Sequence, residues 1–146
     1  MAMLRRLCGN THDADDVFQD VAARVWRNIG SRPRLKSPRA WLLTVAYRQF
    51  LDHRARRPIH ASLSDHDSHA RDWSAVDPLT LAERSDEVGR LDQAVKELPE
   101  ILRSVIVLHY SGGLSIRETA KAIGISAGTV KSRLNSGLEH LRRRLS

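Results

Sequence analysis

Apolar residues recur at helical spacing in the first third of the chain. A run in which they fall at i, i+3, i+4 and i+7 predicts an amphipathic helix that is capped by Thr11 or Asp13 and ends at Gly30. Ser37 and Pro38 form a typical helix start, which predicts a second helix over about 39–56. The apolar stripe of the first helix comprises Ala14, Val17, Phe18, Val21, Ala22, Val25, Trp26 and Ile29, and that of the second comprises Trp41, Leu42, Val45, Ala46 and Leu51.

The last third of the chain has the pattern of a helix-turn-helix motif. Apolar helical segments end at Gly112–Gly113, and Ser115 with Glu118 forms a capping box at the start of a short helix. Gly124 marks a tight turn, after which Ser126 caps a further helix. Two helices joined in this way are typical of DNA-binding domains. The apolar seam of the last helix consists of Val130, Leu134, Leu138, Leu141 and Leu145.

The segment between these two parts has neither a helical nor a strand period. Residues 58–80 are bounded by prolines and are rich in Ser, Asp and His, which predicts a flexible linker. The expected fold is therefore all-α, with one small helical domain over 1–57 and another over 81–146. The linker also contains His60, His66 and His69. Their spacing matches no common metal-ligand pattern, so we expect neither a metal nor another cofactor.

The charge of the chain indicates an anionic partner. The 146 residues include 24 Lys or Arg and 17 Asp or Glu, which gives a net charge of +7. Residues 1–60 carry +7, residues 61–90 carry −4 and residues 91–146 carry +4. A single cysteine excludes a disulfide framework, and no apolar run is long enough to span a bilayer. We therefore expect a cytoplasmic protein without a membrane association.

Two groups of side chains are candidates for nucleic-acid binding. In the second helix, Tyr47 and Phe50 stand among arginines, a mixture that suits stacking on a single strand, although spacing alone equally allows both rings to be core. In the last helix the apolar seam leaves polar side chains on the outer face, where they suit a DNA major groove. These outer residues are Thr129, Lys131, Ser132, Arg133, Asn135 and Ser136. The alternative is a helical hairpin with an ordinary charged surface.

Several motifs occur in an order that resembles one protein family. They are DADDVFQD at Asp13–Asp20, WLLTVA at Trp41–Ala46, the Leu98–Pro99 pair, LSIRETA at Leu114–Ala120 and GTVKSR at Gly128–Arg133. This set resembles the extracytoplasmic function (ECF) group of bacterial RNA polymerase sigma factors in the sigma-70 family. The resemblance covers nearly the whole chain outside the linker. Family members begin with a further helix of about twenty residues, so we expect this sequence to lack that helix.

The resemblance implies roles for three surfaces. The first helix is similar to region 2.2, which docks on the β′ clamp helices of core RNA polymerase through Asp16, Gln19, Asp20 and Arg24. Residues 32–57 are similar to regions 2.3 and 2.4, which open the −10 element and hold one promoter strand. Residues 91–146 resemble region 4, which reads the −35 element and contacts the β flap. The strand-binding candidates are Arg34, Lys36, Arg39, Tyr47, Arg48, Phe50 and Arg54.

Two other classes of protein are alternatives to a transcription initiation factor. A stand-alone helix-turn-helix regulator explains the last third of the chain but leaves residues 13–57 without a purpose. An enzyme requires a nucleophile with a paired base or clustered metal carboxylates. Ser31 and Ser37 have no such base, so no catalytic residue is expected. An anti-sigma protein is a further partner that the family implies.

Overall fold

The computed structural model describes residues 1–30, 36–57 and 78–146, with the backbone alone for 78–85. All regular structure in these residues is helical, which confirms the predicted fold class. The helices are α1 (Ala2–Cys8), α2 (Thr11–Asn28), α3 (Pro38–Ala55), α4 (Pro78–Lys96), α5 (Glu100–Ile106), α6 (Ile116–Ile123) and α7 (Ala127–Leu145). Helix α5 continues into a π-helical turn, Val107–Ser111. Most of the expected linker lies outside the described residues, and its last three, 78–80, belong to α4.

Side-chain caps fix where most of the helices start. Ser37 caps α3, Ser115 and Glu118 form the expected capping box of α6, and Ser126 caps α7. The cap predicted for α2 is wrong, because Asn10 takes that position. The Asn10 side-chain oxygen accepts a hydrogen bond from the backbone N–H of Asp13 at 2.8 Å, so Thr11 and Asp13 both lie inside the helix.

Helix α2 buries a narrower stripe than its apolar pattern predicts. Ala14, Val17 and Val21 are buried against α1 and α3. Trp26 and Ile29, by contrast, are 79% and 71% exposed. Phe18 and Ala22 are exposed as well, so the expected burial of these four residues is wrong. The two packed neighbours cover only one side of the helix, and the remaining apolar residues face away from them.

Helix α3 turns different residues inward from those predicted. Val45 and Ala46 are buried as expected, but Leu42 and Leu51 are exposed. Tyr47 and Phe50 are instead buried, with their ring centroids 6.0 Å apart. The half-buried Trp41 packs against the edge of this core.

The C-terminal helices pack around α5 and the π-helical turn. Val105, Leu108 and Val130 are fully or almost fully buried, and Leu134 and Leu141 continue the seam of α7 as predicted. Leu138 is half-buried and Leu145, at the end of the seam, is exposed. At Gly137 a Cβ would lie 2.8 Å from the Ile106 Cγ1 atom, so glycine allows α7 to approach α5 closely.

The N-terminal unit (α1–α3) and the C-terminal unit (α4–α7) contact each other directly. Helix α1 packs on α4 and the π-helical turn, and α3 packs on α6. Buried side chains of both units form one continuous apolar cluster. Between the units, Arg6 donates hydrogen bonds to Asp92 at 2.8 Å and to Ser111 at 3.0 Å, and Arg54 forms an ion pair with Glu100.

Candidate nucleic-acid interface

The helix-turn-helix geometry is built by glycine and serine at the turn. Gly124 has φ 82°, a conformation that residues with a Cβ rarely adopt, and its N–H bonds to the Ala120 carbonyl to end α6. Two residues later Ser126 begins α7, its Oγ atom accepting a hydrogen bond from the Thr129 N–H at 3.1 Å. The start of α7 is therefore held in a fixed position relative to α6.

We define the recognition face as the six polar residues predicted to meet the major groove. Lys131, Ser132, Asn135 and Ser136 are exposed, whereas Thr129 and Arg133 are half-buried. The intervening Val130, Leu134 and Gly137 are buried, so one side of the first half of α7 is core and the other is polar.

Two side chains of the recognition face already bond to neighbours. The Thr129 hydroxyl lies 2.8 Å from Ser126 Oγ, and Ser132 Oγ donates to the Thr129 carbonyl oxygen at 3.1 Å. Long or amide side chains at Lys131 and Asn135 extend beyond these local bonds. Both side chains are exposed and therefore accessible to a ligand.

The sequence reasoning missed two basic residues on α6. Arg117 and Lys121 are exposed and stand one helical turn apart. In helix-turn-helix proteins the first helix crosses the DNA backbone, where cations contact phosphates. Their i, i+4 spacing was a signal available in the sequence.

The strand-binding candidates fall into two groups. Lys36, Arg39, Arg48 and Arg54 are exposed, and Arg34 lies outside the described residues. Tyr47 and Phe50 are only 6% and 4% exposed, so in this conformation neither ring presents a face on which a base can stack. Their spacing in the sequence allowed both rings to be either strand-binding or core side chains. In the structure both are core side chains.

The predicted polymerase-docking residues lie on the exposed part of α2. We define the docking face as Asp16, Gln19, Asp20 and Arg24. Gln19 and Arg24 are exposed and the two aspartates are half-buried. Asp20 accepts from Arg56 Nη2 at 3.4 Å, and His12 Nε2 lies 3.6 Å from Asp16. No residue of this face is held by the C-terminal unit in the described contacts.

A buried carboxylate ties α2 to the end of α3. Asp13 accepts hydrogen bonds from Asn10 Nδ2 at 2.7 Å and from His53 Nε2 at 3.1 Å, and Arg57 Nη1 lies 2.6 Å away. Burial raises the pKa of the Asp13 carboxyl, but the hydrogen bonds from Asn10 and His53 and the charge of Arg57 outweigh it. The net pKa therefore lies below its ordinary value.

This cluster holds the ligand types of a metal site but is already satisfied by protein groups. Asp13, Asp16 and His53 have ligand atoms within 4.8 Å of one another. Both carboxylate oxygens of Asp13 are engaged by protein donors, and the Arg57 guanidinium supplies the balancing charge. The arrangement is that of a structural ion pair.

Cys8 is the single thiol of the chain. Burial raises the pKa of this thiol to about 12, and the nearby charge of Asp13 adds to the effect. A thiol that stays protonated at neutral pH is a poor nucleophile.

Comparison with known proteins defines the class to which this fold belongs. The family model for sigma-70 region 2 matches residues 1–58, and the model for sigma-70 region 4 matches residues 89–141. The ECF RNA polymerase sigma factor SigK of Mycobacterium tuberculosis is 30% identical, with 96% of this chain and 76% of SigK covered. The chain belongs to the ECF RNA polymerase sigma factors. It is a transcription initiation factor that directs RNA polymerase to promoters.

Two solved structures share the fold. The sigma factor RpoE in complex with the anti-sigma factor NepR from Bartonella quintana superimposes with a TM-score of 0.78 at 21% identity, over 99% of this chain and 88% of RpoE. CnrH in complex with the cytosolic domain of CnrY gives 0.64 at 26% identity, over 99% of this chain and 79% of CnrH. Among the described residues, none of the helices is both long and apolar enough to cross a membrane.

Proposed function

We propose that the two units divide promoter recognition between them, with α7 reading the −35 element and α3 holding the melted −10 strand. The −35 assignment of α7 is supported by the difference between its two sides. Val130, Leu134 and Gly137 are buried on one side, and Lys131 and Asn135 are exposed on the other. A helix anchored on one side presents its other side to a major groove without rearrangement.

On this assignment the recognition face makes the base contacts. Lys131 suits the acceptors of guanine, and Asn135 suits the edge of adenine. Arg117 and Lys121 on α6 are placed for phosphates, which fix the register of the motif but carry no sequence information. Arg143 and Arg144 pair with Glu139 and Glu97 respectively, so carboxylates of the chain balance part of their charge, and we assign them no base contact.

The α3 assignment rests on exposed cations. Lys36, Arg39, Arg48 and Arg54 are exposed cations of the N-terminal unit, and their charges attract the phosphates of a single strand. Tyr47 and Phe50 are excluded from stacking in the conformation described, so this proposal assigns strand binding to the cations alone.

The docking face is proposed to contact core RNA polymerase. Gln19 lies on the same side of α2 as the exposed Trp26, two helical turns away, and mixed polar and apolar surfaces of this kind are typical of protein interfaces. The sigma factor RpoE was solved with the anti-sigma factor NepR, and CnrH with the cytosolic domain of CnrY, which supports an anti-sigma protein as a further partner. Because promoters lie on the chromosome, we place this activity in the cytoplasm, without a catalytic step of its own.

Run-off transcription with purified core polymerase on a promoter library tests the proposal. We expect promoter-specific transcripts only when the chain is present. Lys131→Ala should reduce transcription about ten- to a hundredfold at −35-dependent promoters, since one good base contact is worth roughly 1–3 kcal/mol. Gln19→Ala with Asp20→Ala should instead weaken binding to core at every promoter.

Two outcomes contradict these assignments. Unchanged promoter-specific transcription by Lys131→Ala removes the −35 role of α7, and unchanged core affinity of the α2 double variant removes the docking role. Tight, specific binding to duplex DNA by the chain alone, without any stimulation of core polymerase, would instead identify a stand-alone helix-turn-helix regulator.

A further inference from the structure

The exposed side of α7 continues beyond the recognition face to a pair of opposite charges. Side chains that follow one another at intervals of three or four residues share one side of a helix. On α7 such a series of exposed residues, opposite the buried seam, consists of Ser132, Asn135, Glu139 and Arg143. At about 1.5 Å per residue, Glu139 stands roughly 6 Å beyond Asn135 along the helix axis.

Glu139 and Arg143 form an ion pair one helical turn apart. Arg143 Nη2 donates to Glu139 Oε1, and both side chains are largely exposed. A surface pair of this kind contributes little to the stability of a fold. The carboxylate does, however, occupy donors of the guanidinium, and a DNA phosphate would use the same donors.

With α7 in the major groove, this pair lies beside the DNA backbone. The groove is about 12 Å wide, so when Asn135 faces the base edges at its centre, a side chain roughly 6 Å further along the helix reaches the level of the phosphates. At that position phosphates repel a carboxylate and attract an unpaired arginine. Because phosphates carry no sequence information, both effects act on DNA of any sequence.

We propose that Glu139 limits the affinity of α7 for DNA of any sequence, because it holds the Arg143 guanidinium and presents a carboxylate to the phosphates. This role rests on the proposed function of α7 in the major groove. The chain carries a net charge of +7, which favours binding to the many non-specific sites of a chromosome. Glu139 weakens that binding, so more of the free chain is available to core RNA polymerase.

The affinity of the full chain for a short fluorescein-labelled duplex of random sequence, measured by anisotropy at several salt concentrations, tests this role. Glu139→Gln should bind about two- to fivefold more tightly than Glu97→Gln. The logarithm of its binding constant should also fall more steeply with the logarithm of the salt concentration, by about 0.9, since Arg143 reaches one further phosphate. Glu97→Gln is the matched control: it adds the same net charge and releases Arg144, which lies about 100° around the helix from Arg143.

Two double variants of equal net charge test whether the effect depends on Arg143. Glu139→Gln with Arg143→Gln should lose the gain in affinity, whereas Glu139→Gln with Arg144→Gln should keep it. Equal affinities of the two single variants overturn the proposal, and so does a gain that both double variants retain equally. Run-off transcription by the wild-type chain tests the promoter function independently, so equal affinities in a chain that initiates transcription refute the role of Glu139 alone.

Discussion

Asp13→Asn should lower the stability of the N-terminal unit by about 2 kcal/mol. The substitution keeps the size of the side chain but removes the charge that faces Arg57 and replaces an oxygen acceptor with an amide donor. Hydrogen bonds to a charged group contribute about 1.5–3 kcal/mol each. Arg57 is 45% exposed, so solvent screens part of its attraction, and asparagine keeps one acceptor oxygen, so the expected loss is that of about one such bond.

The pH dependence supplies a second readout of the same carboxylate. The pKa of Asp13 is lower in the folded chain than in the unfolded one. Its contribution to the free energy of unfolding is therefore complete above the unfolded pKa, about 3.8. The contribution is lost as the pH falls through the lower, folded value. The difference between wild type and Asp13→Asn should therefore be largest at neutral pH and shrink below about pH 4.

Urea denaturation followed by circular dichroism at pH 7 and at pH 3 measures both effects. Asp15→Asn is the matched control, because that exposed carboxylate on the same turn of α2 carries the same charge. If the two variants have equal free energies of unfolding at pH 7, or if the deficit of Asp13→Asn persists unchanged at pH 3, the ion-pair interpretation is refuted.

Two further predictions concern packing. Gly137→Ala should destabilise the C-terminal unit by about 1–2 kcal/mol in urea denaturation, because the added methyl group collides with Ile106 and overpacking outweighs the gain in helix propensity; an increase in stability would show that α5 moves away freely. Trp41→Ala should lower the free energy of unfolding by about 2 kcal/mol, whereas Trp26→Ala should change it by less than about 0.5 kcal/mol, since only the first ring packs against the core. Equal losses in a thermal melt would contradict that distinction.

Local signals in the sequence were sufficient to locate the starts of α3, α6 and α7, whereas α1 was not predicted. Capping motifs at Ser37, Ser115 and Ser126, with the glycine at the turn before α7, act over a few residues and do not depend on the rest of the fold. The cap of α2 was misplaced because Asn10, Thr11 and Asp13 are all competent capping residues. Only the backbone geometry distinguishes them.

The direction in which a helix faces was harder to predict. Periodicity identifies an apolar side but does not say how much of it a neighbour covers, and α2 leaves Phe18, Trp26 and Ile29 exposed. On α3 the burial of Tyr47 and Phe50 depends on how the neighbouring helices pack, which local periodicity does not specify. The contacts of Arg6 with Asp92 and Ser111 join residues far apart in the chain, and no local pattern marks them.

The fluorescence of the exposed Trp26 indole can report when the docking face is covered. Trp26 lies seven residues after Gln19 on α2, two helical turns along the same side, and its ring is 79% exposed. A protein that covers the docking face will therefore transfer this indole from water to a drier environment and shift its fluorescence to shorter wavelength. In a Trp41→Phe, Trp73→Phe variant Trp26 is the single tryptophan of the chain. A ligand that engages only α7 will leave its emission unchanged, which separates polymerase docking from promoter reading.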